Sequence, residues 1–151
     1  MSQDNTIDYF LKACWQNLAN TYNQIAAQDG FTQAAGYILI NIHRDGTPVS
    51  HIANSTGVKT TSLSRVLNNL ENLGFIYREA STTDKRSVKV YLTELGIEKR
   101  NIAKHVIRDF NNFLDEELTA KERTQLIKTL LKINELVSKY DPKRENSTVK
   151  L

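Results

Sequence analysis

Apolar residues recur along this chain with two different periods, and the switch between them divides it. From about Asp4 to Gln28, the residues Ile7, Phe10, Leu11, Cys14, Trp15, Leu18, Tyr22 and Ile25 keep the i, i+3, i+4, i+7 spacing of one helix face. Asp29-Gly30 ends that helix. Thr32 is placed to cap a second, which carries Tyr37, Ile38, Ile40 and Ile42 and stops at Asp45-Gly46. Pro48 suits the first turn of a short third helix reaching about Ser55, and Gly57 breaks it. Thr60 to Asn72 predicts a fourth, with Leu63, Val66, Leu67 and Leu70 on one face and Gly74 as its stop.

The period changes at Phe75. Phe75-Ile76-Tyr77 is strand-like, and Val88, Val90 and Leu92 alternate with Ser87, Lys89 and Tyr91. The stretch from Ala80 to Arg86 between them is polar, which predicts a β-hairpin. Helical spacing resumes after Thr93 and carries a fifth helix to about Leu114. Thr119 and Glu122 have capping-box spacing at the start of a sixth, whose apolar face is Leu126, Ile127, Leu130, Leu131, Ile133, Leu136 and Val137. Asp141-Pro142 stops it, and the polar residues from Lys143 to Leu151 are expected to form a mobile tail.

The expected fold is thus mainly α with a small β-hairpin wing. Residues 1–31 form an N-terminal dimerisation helix, 32–93 a winged helix-turn-helix, 94–140 C-terminal dimerisation helices and 141–151 the tail. The first and last two helices carry more apolar surface than so small a domain needs. Burying it against a second copy predicts a homodimer.

Charge sharpens the picture by its location. The net charge is +3, and between Val58 and Tyr91 six basic residues face three acidic ones; elsewhere the signs balance at fourteen each. A local positive surplus attracts a polyanion. The one cysteine, Cys14, excludes an internal disulfide framework. There is no basic start followed by a long apolar run, and no apolar run long enough to span a bilayer. The expectation is a cytoplasmic protein without a membrane partner.

The residues from Ile52 to Leu67 have the grammar of a helix-turn-helix. Ala53 is small where the helices cross, Gly57 permits the turn, and Val58, Leu63, Val66 and Leu67 anchor the second helix. At about 100° per residue, the opposite face carries Thr61, Ser64, Arg65, Asn68 and Asn72, with Asn69 beside them. Arginine can bond guanine edges, asparagine adenine, and threonine or serine either. Thr60 and Thr61 lie at the helix N-terminus, which favours a phosphate. The alternative is an ordinary solvated face, but such faces more often show Glu/Lys pairs. With Lys59, Lys85 and Arg86 of the basic stretch, Thr60, Thr61, Ser64, Arg65, Asn68 and Asn69 are the expected contacts to double-stranded DNA.

Asp84-Lys85-Arg86-Ser87 with Leu92-Thr93-Glu94-Leu95-Gly96 resembles the D-x-R-(S/G)…L-T-x-x-G signature of the MarR (multiple antibiotic resistance regulator) family. Leu70-Glu71-Asn72-Leu73-Gly74-Phe75-Ile76-Tyr77-Arg78 resembles its L-E-x-x-G-L-V/I-x-R segment, and Phe31-Thr32 its usual L-T opening of the second helix. The likeness extends from about Ile7 to Tyr140. It implies an obligate dimer, base contacts in the major groove from the fourth helix, and the wing-tip Arg86 in the adjacent minor groove. A narrow minor groove concentrates negative potential, which suits a guanidinium. Asp84 is then a brace of the wing through an arginine. One departure is that Ala35 and Gly36 stand where the family often has a glutamine and an aromatic.

The resemblance also implies a repressor released from its operator by a small aromatic or phenolic effector. Tyr9, Trp15, Tyr22, Tyr37, His43, Arg44 and His51 are candidate lining residues; the plainer alternative is that the aromatics fill the core or the dimer interface. One branch of the family senses organic hydroperoxides through a cysteine in the first helix, which makes Cys14 a redox candidate. A cysteine on an apolar face is more often an inert small hydrophobe. A constitutive binding module without effector is the other alternative. His43, His51 and His105 lack the close spacing of a zinc site, so neither metal nor cofactor is expected. No phosphate-binding loop or nucleophile elbow is present, and the chain is read as a regulator, not an enzyme.

Overall fold

The computed structural model describes residues 5–80 and 87–142. The chain divides into two compact units, residues 1–108 and 109–151. The first holds α1 (Ile7–Ala27), α2 (Gln33–Ile40), β1 (Thr47–Pro48), α3 (Val49–Thr56), α4 (Thr60–Asn72), β2 (Ile76–Ala80) and β3 (Val88–Leu92). It also holds the first part of α5 (Glu94–Glu117); the second unit holds the rest of α5 and α6 (Ala120–Lys139).

The sheet is three-stranded and antiparallel, in the order β1-β3-β2, with Thr47 opposite Val90 and Ile76 opposite Leu92. The sequence predicts only the hairpin. The added strand is two residues long, too short for alternation to register, and one of them is Pro48. Proline lacks an N–H for the ladder and is tolerated at a sheet edge, which is where β1 lies. Pro48 also occupies the N-cap position of α3, without a capping hydrogen bond.

The second helix is shorter than its apolar spacing implies. Thr32 caps it, its side chain accepting from the Ala35 amide at 3.1 Å. It ends at Ile40, and the Asn41 side chain donates to the Tyr37 carbonyl at 2.8 Å. Ile42 belongs to the apolar pattern because it is buried, yet it is buried from a turn. The His43 amide donates to the Thr47 hydroxyl at 2.8 Å, which leads the chain into β1.

The core of the first unit lies where α2, α3 and α4 meet the sheet. Ile38, Leu39, Ile42, Ile52, Leu63, Leu67, Leu70, Ile76 and Val90 are its large buried side chains. Each stabilises the fold by about 1.5–3 kcal/mol relative to exposure. Phe31 and Phe75 meet edge to face, ring centres 6.5 Å apart.

The start of α5 is locked to the strand end. The Thr93 hydroxyl donates to the Gly74 carbonyl at 2.6 Å and accepts from the Gly96 amide at 3.0 Å. The Thr93 amide donates to the Phe75 carbonyl at 3.0 Å. A Cβ on Gly96 would lie 1.8 Å from that same carbonyl oxygen. This gives L-T-x-x-G a physical reason: threonine caps and ties, and only glycine fits against the backbone.

In the second unit the capping box of α6 is complete. The Thr119 side chain accepts from the Glu122 amide, and the Glu122 carboxylate accepts from the Thr119 amide at 2.9 Å. α6 has no buried residue; Leu131 and Val137 are 64% and 68% exposed. No helix among the described residues is long and apolar enough to cross a membrane. The tail from Lys143 onward lies outside the described residues.

Candidate nucleic-acid interface

The turn between α3 and α4 is built by its residues. The Gly57 amide donates to the Ala53 carbonyl at 2.9 Å, and Gly57 adopts φ +67°, the left-handed region that glycine enters without steric penalty. The Thr56 hydroxyl donates to the Ile52 carbonyl at 2.7 Å and closes the end of α3. Leu63, Leu67 and Leu70 then seat α4 in the core.

That seating leaves the opposite side of α4 outward. Thr60, Thr61, Ser64, Arg65, Asn68 and Asn69 are all exposed, as is Lys59 at the cap position. Among the described residues no side chain caps the first turn of α4; Lys59, a donor, stands at the cap position. The expected contact residues of α3–α4 thus share one surface. Asp84, Lys85 and Arg86 lie outside the described residues.

One member of the interface escapes sequence reasoning. Arg78 of β2 is ion-paired with Glu71 of α4, its Nε donating to the carboxylate at 3.1 Å. Its Nη2 also donates to Asn68 Oδ1 at 2.8 Å. The Arg78 hydrogen bond holds the Glu71 carboxyl below the ordinary range, outweighing the burial that pushes it up. Arg78 ties the exposed face of α4 to the sheet. Helical periodicity cannot find such a contact, because its partners lie across a helix-turn-strand junction. The signals in the sequence were the arginine's place in the basic stretch and the L-E-x-x-G-x-x-x-R segment that holds both Glu71 and Arg78.

A separate cavity of about 160 Å³ lies between α1, α2 and α5 within the first unit. Trp15, Tyr22 and Tyr37 line it, with Ile25, Phe31, Ile102, Val106 and Ile107. Gly36 and Ala103 also face it, and their small size leaves the space open. Burial raises the Tyr22 phenol. Asp29 is the charged lining residue, paired with Lys99 at 3.4 Å. Tyr9, His43, Arg44 and His51 are exposed and do not line it; Tyr9 packs edge to face on Phe10 instead. Cys14 is exposed on α1. Among the described residues no three His, Cys, Asp or Glu side chains are grouped to hold a metal ion.

Comparison with known proteins places this geometry. The MarR family model matches residues 29–87. The chain is 30% identical over 102 residues to YwhA, an uncharacterised HTH-type transcriptional regulator of Bacillus subtilis (strain 168), covering 65% of this chain and 71% of that protein. The fold is similar to that of S. aureus MepR in complex with DNA, with TM-score 0.80, 23% identity, and 87% and 98% of the two chains covered. It is similar as well to a cysteine-to-serine mutant of E. coli MarR complexed with operator DNA, with TM-score 0.77, 23% identity and coverage of 88% and 99%. The transcriptional regulator SlyA gives TM-score 0.79 at 24% identity over 89% and 96%.

Proposed function

The chain belongs to the MarR family, and from that premise we propose that it is a cytoplasmic, homodimeric, sequence-specific DNA-binding repressor released by a small effector. The observation that carries the reading is the outward face of α4, polar from Thr60 to Asn69 and backed by three buried leucines. Ser64, Arg65, Asn68 and Asn69 supply donors and acceptors for base edges in a major groove. The uncapped start of α4, with Lys59, Thr60 and Thr61, suits a backbone phosphate. The family resemblance adds Arg86 as the expected minor-groove residue, Lys85 as a further DNA contact and Asp84 as the brace of the wing.

The exposed apolar faces of α1 and α6 support the dimer. Ile7, Phe10 and Trp15 on the first helix and Leu131, Leu136 and Val137 on the last are all more than half exposed in the single chain. A face that apolar is covered by a partner in a stable protein. The cavity beside α2 supports release, since a ligand there can favour one arrangement of the reading heads over another. Its lining contains a carboxylate and no basic side chain. With that carboxylate paired to Lys99, the apolar, aromatic lining suits a small aromatic or phenolic effector.

The test is fluorescence anisotropy at physiological salt, titrating the protein onto the duplex upstream of its own gene and onto a scrambled duplex. Preference by about a thousandfold or more is expected. Equal, weak and salt-sensitive binding to both would overturn sequence-specific reading of that duplex.

A further inference from the structure

The Arg78 contact fixes more than the wing. Asparagine reads adenine by presenting oxygen and nitrogen together: the oxygen accepts from N6 while the nitrogen donates to N7. In Asn68 on α4 the oxygen is already directed at the protein. Its Oδ1 accepts from Arg78 Nη2 at 2.8 Å. A guanidinium is all donors, so a flipped amide would set N–H against N–H. Arg78 is itself held by Glu71, which accepts from both Nε and Nη2. The amide therefore faces β2 with its oxygen and keeps Nδ2–H2 as its unspent group.

We infer that Asn68 reads its base as a donor only, selecting an acceptor edge, guanine first and thymine next, in place of the adenine usual for asparagine. Guanine offers O6 and N7, both acceptors, and thymine offers O4. Adenine offers one acceptor, N7, beside an N6 donor that Asn68 cannot then satisfy, so it is the poorer partner. Arg78 and Glu71 are positioning residues that act through Asn68 without touching DNA. The inference rests on the proposed DNA reading by α4.

The experiment is selection of binding sites from a pool of random duplexes by the full-length protein, sequenced for the parent and three variants. For the parent, one position per half-site should favour guanine or thymine. Asn68→Ala should erase that preference and weaken binding to the selected site by roughly tenfold or more. Asn68→Asp keeps an oxygen for Arg78 but exchanges the donor for an acceptor, so the same position should turn to cytosine, which presents an N4–H2 donor. Arg78→Met frees Oδ1 and should move the position toward adenine. Where Arg78→Met fails to fold by circular dichroism, Asn68→Asp decides alone. Adenine at that position in the parent overturns the inference. So does an Asn68→Ala variant that loses affinity equally on every sequence, since that is a phosphate contact. A parent that enriches no sequence overturns the DNA reading itself, and the inference with it.

Discussion

Two regions of the chain treat their apolar residues in opposite ways. In the first unit Leu39, Ile52, Leu63 and Leu70 are wholly buried, and the helix-turn-helix is complete within one chain. In the second, α6 carries Leu126, Leu131, Leu136 and Val137 and buries none of them. The reading surface is organised by its own core. The terminal helix has a good cap, and among the described residues its apolar face is mostly exposed, with only Leu130 and Ile133 half-buried. Local rules alone can start such a helix; burial of its face is what makes it stable.

The sharpest way to break this contrast is a pair of truncations. Leu63→Ala should cost about 2–5 kcal/mol in chemical denaturation, whatever the protein concentration. Leu131→Asp should instead convert dimer to monomer in sedimentation equilibrium and make the unfolding midpoint independent of concentration. A Leu131→Asp variant that sediments as the parent does would remove α6 from the interface. Gly96→Ala comes next, at about 1–3 kcal/mol or more, because its methyl group meets the Phe75 backbone rather than a yielding side chain. Unchanged thermal stability would show that strand end and helix start separate easily. Thr119→Ala removes the α6 cap and should cost about 1 kcal/mol, read as a lower denaturation midpoint.

The smallest effect is on pH. Glu71 is held down by its hydrogen bond from Arg78, and Glu122 by those from Thr119, against the ordinary 4.5. A carboxylate depressed in the folded state binds fewer protons there than in the unfolded chain. Its contribution is therefore fully present above pH 4.5 and fades as pH falls below that value through the folded value. Both are surface pairs, so the acid limb of a stability curve should shift only slightly in Glu71→Gln or Glu122→Gln. A change in the alkaline limb would contradict the assignment.

Elements set by local chemistry were legible in the sequence. The bounds of α4, the Thr32 cap, the Gly57 turn and the Thr119–Glu122 box are where spacing puts them, because each depends on residues at most four apart. What was not legible depends on distant partners. Ile42 kept helical spacing past the end of α2, because burial, not helicity, set the pattern. β1 exists only because β3 lies beside it. The lining of the cavity separated Trp15, Tyr22 and Tyr37 from Tyr9, His43, Arg44 and His51, a distinction that side-chain type cannot make. Arg78 was visible as a charge and invisible as the partner of Asn68.

The joint at Thr93 also has a meaning for recombination among relatives. Strand end and helix start share one carbonyl, that of Phe75, and one glycine that cannot be enlarged beside it. A wing grafted from another protein with a cut at either strand terminus would bring a mismatched seam. A viable chimera needs its crossover before Gly74 and after Gly96, so the wing and the first turn of α5 should be exchanged as one inseparable cassette.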